Sequence, residues 1–418
     1  MWALHEGRLV AEKVHNPMTQ GGGREGENRS GTIIRMSTAV RYPHLHLTDW
    51  PFRIVPDESS CSFMADRTRL ASEIRTLLRN LSRQPISSMH LMWAWFGAGK
   101  THALRHIEYL CHKEFTNIIP VYIEFPKSAK NFLDIYRSFI TGIDLEVVSY
   151  AYLEVFTSPA KDKISKELNL DFYDLSNALR FLYSGTAQQQ ETAIKWLRTE
   201  CREKQILKSI GITKPIQTVE DALRIITWVI RIINMGSASS GEIRRVLLML
   251  DEYQRVGGLR KPSMDEVNGC LHSVFNKCPN GLSLVISFSG YPEGNRLPKW
   301  LSPEIKDRLD KKPLLLPPLS EDEALVFIKD ILKHFRNPSS TISEACFPFT
   351  DESACTIIRM IQAKKGKRQD EPKPRTIMHF SNLVLQEAEP LIERGELKII
   401  DGDFVSNVLH DISLTEED

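Results

Sequence analysis

The chain has 418 residues, with 54 Lys+Arg against 53 Asp+Glu for a formal net charge of +1, and 42% hydrophobic and 26% charged residues. At ~150 residues per domain this length fits two or three domains. The composition is that of an ordinary globular protein, which excludes a mostly disordered, collagen-like or coiled-coil chain. Near-neutrality excludes a wholesale cationic coat for nucleic acid but leaves room for a local basic patch.

Residues 1–40 read as a flexible tail, because Gly21–Gly31 is glycine-rich, polar and without periodicity. Pro51–Pro56 reads as a short extended segment. Arg67–Leu81 reads as a helix, with Leu70, Ile74, Leu77, Leu78 and Leu81 on one stripe. Met89–Trp93 is a short apolar run fit for a buried strand, followed by a loop, Ala94–Gly99, and a helix, Lys100–His112. Ile118–Phe125 is a second strand and 129–142 a further helix. Strand–helix–strand alternation predicts an α/β fold with a parallel sheet and helices on both faces.

Residues 143–236 break that rhythm and read as a large helical insertion, with the clearest helices at Gln188–Leu207 and Val219–Met235, the latter capped by Thr218. Ser237–Gly241 is a linker. Strand signals return at Val246–Leu250 and Leu282–Ser287. Ser320 and Glu323 form a capping box, and helices follow to about Phe335, over Ser353–Lys364 and over Arg375–Arg394, the last closed by Gly395. The predicted organisation is therefore a tail (1–40), a nucleotide-binding α/β domain (41–318) and a C-terminal helical lid (319–418).

Seven cysteines, Cys61, Cys111, Cys201, Cys270, Cys278, Cys346 and Cys355, are scattered without a C-x-x-C pair, so reduced thiols are expected rather than a disulfide framework or a zinc site. The start, Met1 to Arg8, has no long apolar run, and the most apolar helical stretch, Ile225–Met235, is short and carries Arg231. These features predict a soluble, cytoplasmic protein with no membrane partner.

Ala94-Trp-Phe-Gly-Ala-Gly-Lys-Thr101 fits the P-loop pattern G-x-x-x-x-G-K-[ST], except that Ala94 replaces the first glycine. Gly97 and Gly99 let the backbone wrap closely around phosphate oxygens, and Ala98, Gly99, Lys100, Thr101 and His102 bring amides to the same anion at a helix start. Lys100 would pair with the β- and γ-phosphates of ATP, and the Thr101 hydroxyl would ligate Mg²⁺. Val246–Leu250 followed by Asp251-Glu252 supplies the second half of such a site. Asp251 would hold Mg²⁺ and Glu252 would polarise the attacking water. Acids at the solvated end of any strand give the same pattern when the P-loop is left aside.

With these motifs the sequence resembles AAA+ ATPases, and more narrowly the initiator-like clade of origin-recognition and loader ATPases. The resemblance implies a polar sensor at Ser289 or Ser287 in Ser287-Phe-Ser289. It implies an arginine finger at Arg308 within Ser302–Leu309, and a second sensor at Arg375 in Pro372–Ile377. An arginine finger acts on ATP held by a neighbouring subunit, so a homo-oligomer is implied. Arg308 also sits among Lys306, Asp307, Asp310 and Lys311, a pattern that a solvated face shares. A looser likeness joins Asp49–Pro56, Ala65–Arg67 and Lys195–Glu200 to ATP-binding proteins of bacterial defence and DNA-processing systems of the bacteriophage-exclusion type. Lys364–Arg368 is a basic cluster fit either for a phosphate backbone or for a solvated loop. Since no helix-turn-helix or zinc finger follows the lid, contact with DNA is expected from the insertion, a ring pore or a protein partner.

The reading is an ATP-hydrolysing protein that couples nucleotide state to oligomer assembly and to loading or remodelling on DNA or a DNA-bound partner. The alternative is a slow nucleotide-gated switch that recruits an effector.

Overall fold

A computed structural model describes residues 40–53, 60–158, 161–236, 243–290, 297–363 and 372–415, together with an antiparallel ribbon, β1 (Ala3–His5) and β2 (Arg8–Val10). Gly21–Gly31, Ile54–Pro56, the Ser237–Gly241 linker and the Lys364–Arg368 cluster, all singled out from the sequence, lie outside the described residues.

Five strands form the main sheet: β3 (Ser88–Ala94), β4 (Ile118–Glu124), β5 (Arg245–Asp251), β6 (Leu282–Ser289) and β7 (Leu314–Leu316). Their order is β4-β5-β6-β3-β7, and every adjacent pair is parallel. The chain leaves β3 beside the middle of the sheet and returns at its far edge as β4. Register sets Ala94 opposite Ser289 and Glu124 opposite Asp251. The P-loop, the acidic pair and the end of β6 therefore leave the sheet at the same edge, the carboxyl edge where open α/β sheets hold ligands.

Both faces of the sheet are covered, which is why β5 is buried at every residue and is apolar from Val246 to Leu250. Helices α1 (Thr68–Arg83) and α2 (Lys100–Lys113) pack on one face, where Leu70, Ile74, Leu78 and Leu104 meet Met92 and Met249. The other face takes helices from the stretch α3 (Phe132–Gly142), α4 (Leu145–Thr157), α5 (Lys161–Ser184), α6 (Ala187–Leu197), α7 (Lys204–Lys208), α8 (Val219–Gly236) and α9 (Lys261–Lys277). Residues 143–236 are thus helical. They share one hydrophobic cluster with Leu91, Val121, Leu248 and Ile286 of the sheet. Thr218 caps α8 by accepting from the Asp221 N–H at 3.1 Å. Helix α3 begins later than the periodicity suggests, at Phe132, because the Asn131 side chain caps it by accepting from the Leu133 N–H at 3.2 Å.

The single helix expected over Gln188–Leu207 is broken. Helix α6 stops at Leu197, Thr199 takes a left-handed φ of 63°, and the N–H groups of Glu200 and Cys201 both return to the Lys195 carbonyl. Tertiary bonds hold the break. Trp196 Nε1 donates to the Lys214 carbonyl at 2.9 Å, and Arg137 Nε donates to Thr199 Oγ1 at 2.9 Å.

After α10 (Pro303–Arg308) come four helices: α11 (Glu321–His334), α12 (Asp351–Ala363), α13 (Pro374–Glu393) and α14 (Gly402–Thr415). The Ser320–Glu323 capping box forms, with bonds of 3.2 and 2.7 Å, and Gly395 has the positive φ of a helix-closing residue. These helices share their core with Leu45, Leu47, Phe52 and Ala65. The Thr48 N–H also donates to the Phe335 carbonyl at 2.8 Å. The segment ahead of α1 therefore belongs physically with the C-terminal helices, although its place in the chain is with the sheet. All seven cysteines are free, and no helix among the described residues is long and apolar enough to cross a membrane.

Candidate functional site

The loop after β3 is shaped by its glycines. Gly97 has φ +77° and Gly99 has φ +91°, values that L side chains rarely adopt, and the Ala98 N–H donates to the Trp95 carbonyl at 3.1 Å. Gly99 is the N-cap of α2, so the free N–H groups of that helix open into the loop. Lys100, the first helical residue, is only 5% exposed.

The Lys100 ammonium donates to Asp251 Oδ1 and, at 2.5 Å, to Glu252 Oε1. Thr101 Oγ1 donates to Asp251 Oδ2 at 2.9 Å. Asp251 is buried and receives two further bonds, from the Tyr122 hydroxyl at 3.0 Å and from the Glu252 N–H at 2.8 Å. Burial first, and the Asp251 carboxylate second, push the Tyr122 phenol far above its ordinary range, so Tyr122 remains a donor. Glu252 holds a left-handed φ of 56°, costly for a non-glycine residue, which turns its carboxylate back over the loop. Its second oxygen, Oε2, accepts from Gln254 Nε2 at 2.8 Å and lies 3.6 Å from Arg255.

A cavity of about 560 Å³ opens over these groups. The P-loop, Asp251, Glu252 and Ser289 form its floor. Phe63, Phe327, Ile331, Phe335 and Met378 form an apolar wall contributed by the C-terminal core. Arg375 reaches the loop directly: its N–H donates to the Gly97 carbonyl at 3.1 Å, which brings the start of α13 to the same place as the start of α2. Two helix N-termini and the cations Lys100, Arg67 and Arg375 thus meet over two acids.

Among the residues expected from the sequence, Gly97, Ala98, Gly99, Lys100, Thr101, His102, Asp251, Glu252, Ser289 and Arg375 all line this one cavity. Of the two sensor alternatives, Ser289 lines it, whereas Ser287 is fully buried and its hydroxyl has no partner. Arg308 does not join it. It is exposed at the end of α10, and the next residue, Leu309, bridges to Met89 near the start of β3. The P-loop starts beyond Ala94, ~16 Å further along that strand at 3.3 Å per residue.

Sequence reasoning missed Tyr122, Gln254 and Arg255. Arg255 bonds Glu124 at 2.8 Å and the Phe125 carbonyl, tying the end of β4 to the acidic pair. Gln254 and Arg255 directly follow the acids and could have been found by extending the motif. Tyr122 gives no local signal.

The donor set suits a magnesium nucleotide. Mg²⁺ keeps several waters and takes few protein ligands, so one hydroxyl and one carboxylate 2.9 Å apart are an appropriate pair. The wrapped loop and the paired lysine suit phosphate.

No family model matches the sequence, and no curated protein matches it. Among solved structures the chain is similar to the Drosophila origin recognition complex bound to DNA (12% identity, TM-score 0.43, covering 95% of this chain and 70% of that one). It is also similar to the Aeropyrum pernix ORC1 protein in complex with DNA (13% identity, TM-score 0.43, 87% and 69%). A third match is domain III of the Thermotoga maritima replication initiation protein DnaA (11% identity, TM-score 0.40, 86% and 98%). The comparisons give no support to the likeness with bacteriophage-exclusion proteins. The sheet order and the loop after β3 make this chain an α/β protein of the P-loop NTPase fold.

Proposed function

We propose that the chain binds ATP with Mg²⁺ and hydrolyses it. One observation carries this reading: Lys100 is bonded to both Asp251 and Glu252 while Thr101 is bonded to Asp251, all at the carboxyl edge of the sheet. In this reading Lys100 transfers its bonds to the β- and γ-phosphates when nucleotide enters, and Thr101 and Asp251 hold the metal. Bound Mg²⁺ supplies charge neutralisation on the phosphates. Glu252, released on one side by Lys100, accepts a bond from the attacking water and orients it. Ser289 and Arg375 face the phosphates from the sheet and from the lid.

The working division is a nucleotide-binding α/β domain at 41–318 with its helical insertion at about 143–236, and a lid at 319–418 onto which Leu45, Leu47, Phe52 and Ala65 of the first unit pack. The protein acts as a homo-oligomer in which Arg308 serves a neighbour's nucleotide. It loads or remodels DNA or a DNA-bound protein partner, as the resemblance to initiator-like ATPases implies. A defence setting rests on the quoted segments alone. ATP turnover by the wild type and by Glu252→Gln, with and without DNA, tests the chemistry, and equal rates in the two proteins would refute hydrolysis at this site. Mass measurement with ATP and DNA present or absent tests assembly.

One feature favours the slow-switch alternative. Both oxygens of Glu252 are already engaged, by Lys100 and by Gln254, so the resting site must be unlocked before water can be activated. Turnover faster than about 1 s⁻¹ by the isolated protein would exclude that reading.

A further inference from the structure

Gln254 is a residue that the nucleotide reading leaves without a role, yet it is fastened at both ends inside the site. Its Nε2 donates to Glu252 Oε2 at 2.8 Å, and its Oε1 accepts from the backbone N–H of Ser289 at 3.1 Å. The two bonds fix the orientation of the amide, since the carboxylate requires a donor and the N–H requires an acceptor. A glutamine end carries one of each at this reach. Glutamate lacks the donor, asparagine is one methylene shorter, and methionine has neither.

The consequence follows from what else holds Glu252. Lys100 occupies Oε1. Once phosphate draws Lys100 away, the remaining side-chain contacts are Gln254 at 2.8 Å and Arg255 at 3.6 Å, both on Oε2. Gln254 then keeps one oxygen pinned while the other faces the cavity. The oxygen of the same amide accepts from Ser289, the terminal residue of β6, which itself lines the cavity. A displacement of the end of β6 would act on Glu252 through this one amide.

We propose that Gln254 is the positioning residue of this site, setting the orientation of Glu252 according to the position of the end of β6. The proposal rests on the nucleotide reading above and adds a claim that can fail separately.

The test uses the full-length protein and the variants Gln254→Ala, Gln254→Glu, Glu252→Gln and the double variant Gln254→Ala/Glu252→Gln. A fluorescent non-hydrolysable ATP analogue, followed by anisotropy, reports affinity independently of turnover. Misplacing a catalytic group by about 1 Å costs on the order of 100-fold. Gln254→Ala is therefore expected to lower kcat about 10- to 100-fold while the KM for ATP and the affinity for the analogue stay within about threefold. Gln254→Glu, which keeps the length and loses the donor, is expected to fall as far. In the Glu252→Gln background, Gln254→Ala is expected to have no further effect, because residues acting as one unit are not additive. A wild-type kcat in Gln254→Ala, or a full extra loss in the double variant, would overturn the proposal and leave ATP hydrolysis standing. Equal turnover in the wild type and Glu252→Gln would overturn both.

Discussion

The backbone N–H of Arg375, in the first turn of α13, donates to the carbonyl oxygen of Gly97 at 3.1 Å. Helix α13 is thus joined directly to the loop after β3. The fit is close: a Cβ added at Gly97 would come within 3.3 Å of the Arg375 Cβ and would have to accept a φ of +77°. Left-handed backbone costs an L-residue about 1–2 kcal/mol, so Gly97→Ala should weaken binding of the ATP analogue by roughly tenfold and loosen the lid contact together. Titration of the analogue by anisotropy checks this, and an unchanged affinity would show that the loop's shape is not what binds phosphate.

Lys100 is 5% exposed and its principal partner Asp251 is 1% exposed. Removing one member of a buried pair leaves the other charge uncompensated, at a cost of about 3–5 kcal/mol. Lys100→Met should therefore lower the thermal midpoint of the nucleotide-free protein, quite apart from abolishing nucleotide binding. Adding Asp251→Asn to it should recover most of the loss, since the neutral amide no longer needs the ammonium. Differential scanning fluorimetry in chelator-treated buffer decides the matter. A single variant as stable as the wild type would mean that the pair does not support the fold.

The sequence carried the site further than it carried the lid contacts. Periodicity located the buried strands because β3, β5 and β6 are covered on both faces and read as apolar runs. The P-loop and the acidic pair are local patterns, so their residues were identifiable one by one. Strand β7 was missed because it is three residues between Pro313 and Pro317, and α9 because its apolar stripe is weak and carries Gly269 in its interior. Tyr122 reaches Asp251 across 129 residues of chain, and such a partner has no signature in its own neighbourhood. The docking of Leu45, Leu47 and Phe52 into the C-terminal core is of the same kind.

Asp66 lies where the segment ahead of α1 meets α11, with its N–H donating to Asp330 Oδ2 at 2.9 Å and its own Oδ2 buried without a partner. Burial first, then the nearby Glu323 and Asp330 carboxylates, push its pKa from 3.8 up to about 6, against the pull of Arg67. The folded protein therefore holds this proton more tightly than the unfolded chain does. The contribution of Asp66 to stability declines as pH rises from about 4 to 6, and the penalty is complete above that. Asparagine accepts the left-handed φ of 41° found here and carries no charge. Asp66→Asn should match the wild type in thermal midpoint near pH 4 and exceed it increasingly toward pH 7. A gap that is constant with pH would show that the carboxylate titrates normally.

Arg308 cannot reach the cavity of its own chain. It is exposed, makes no ion pair among the described residues, and adjoins Leu309, whose partner Met89 is at the opposite end of β3 from the P-loop. An arginine side chain cannot cover the ~16 Å along that strand. This predicts a complementation that a residue working in its own subunit could not produce. Arg308→Ala should lose turnover by about 10³-fold, the low end of the effect of an arginine finger, with binding of the ATP analogue retained. Glu252→Gln should be inactive with its own Arg308 intact. Mixed one to one and allowed to exchange, the two should regain activity, because a junction pairing an intact Glu252 with an intact Arg308 forms in about one quarter of random head-to-tail contacts. The ATPase rate of the mixture, compared with the mean of the two separate proteins, is the measurement. A mixture no faster than that mean would place Arg308 on the solvated face with Lys306, Asp307 and Asp310, and would remove the main reason for expecting the nucleotide at a subunit boundary.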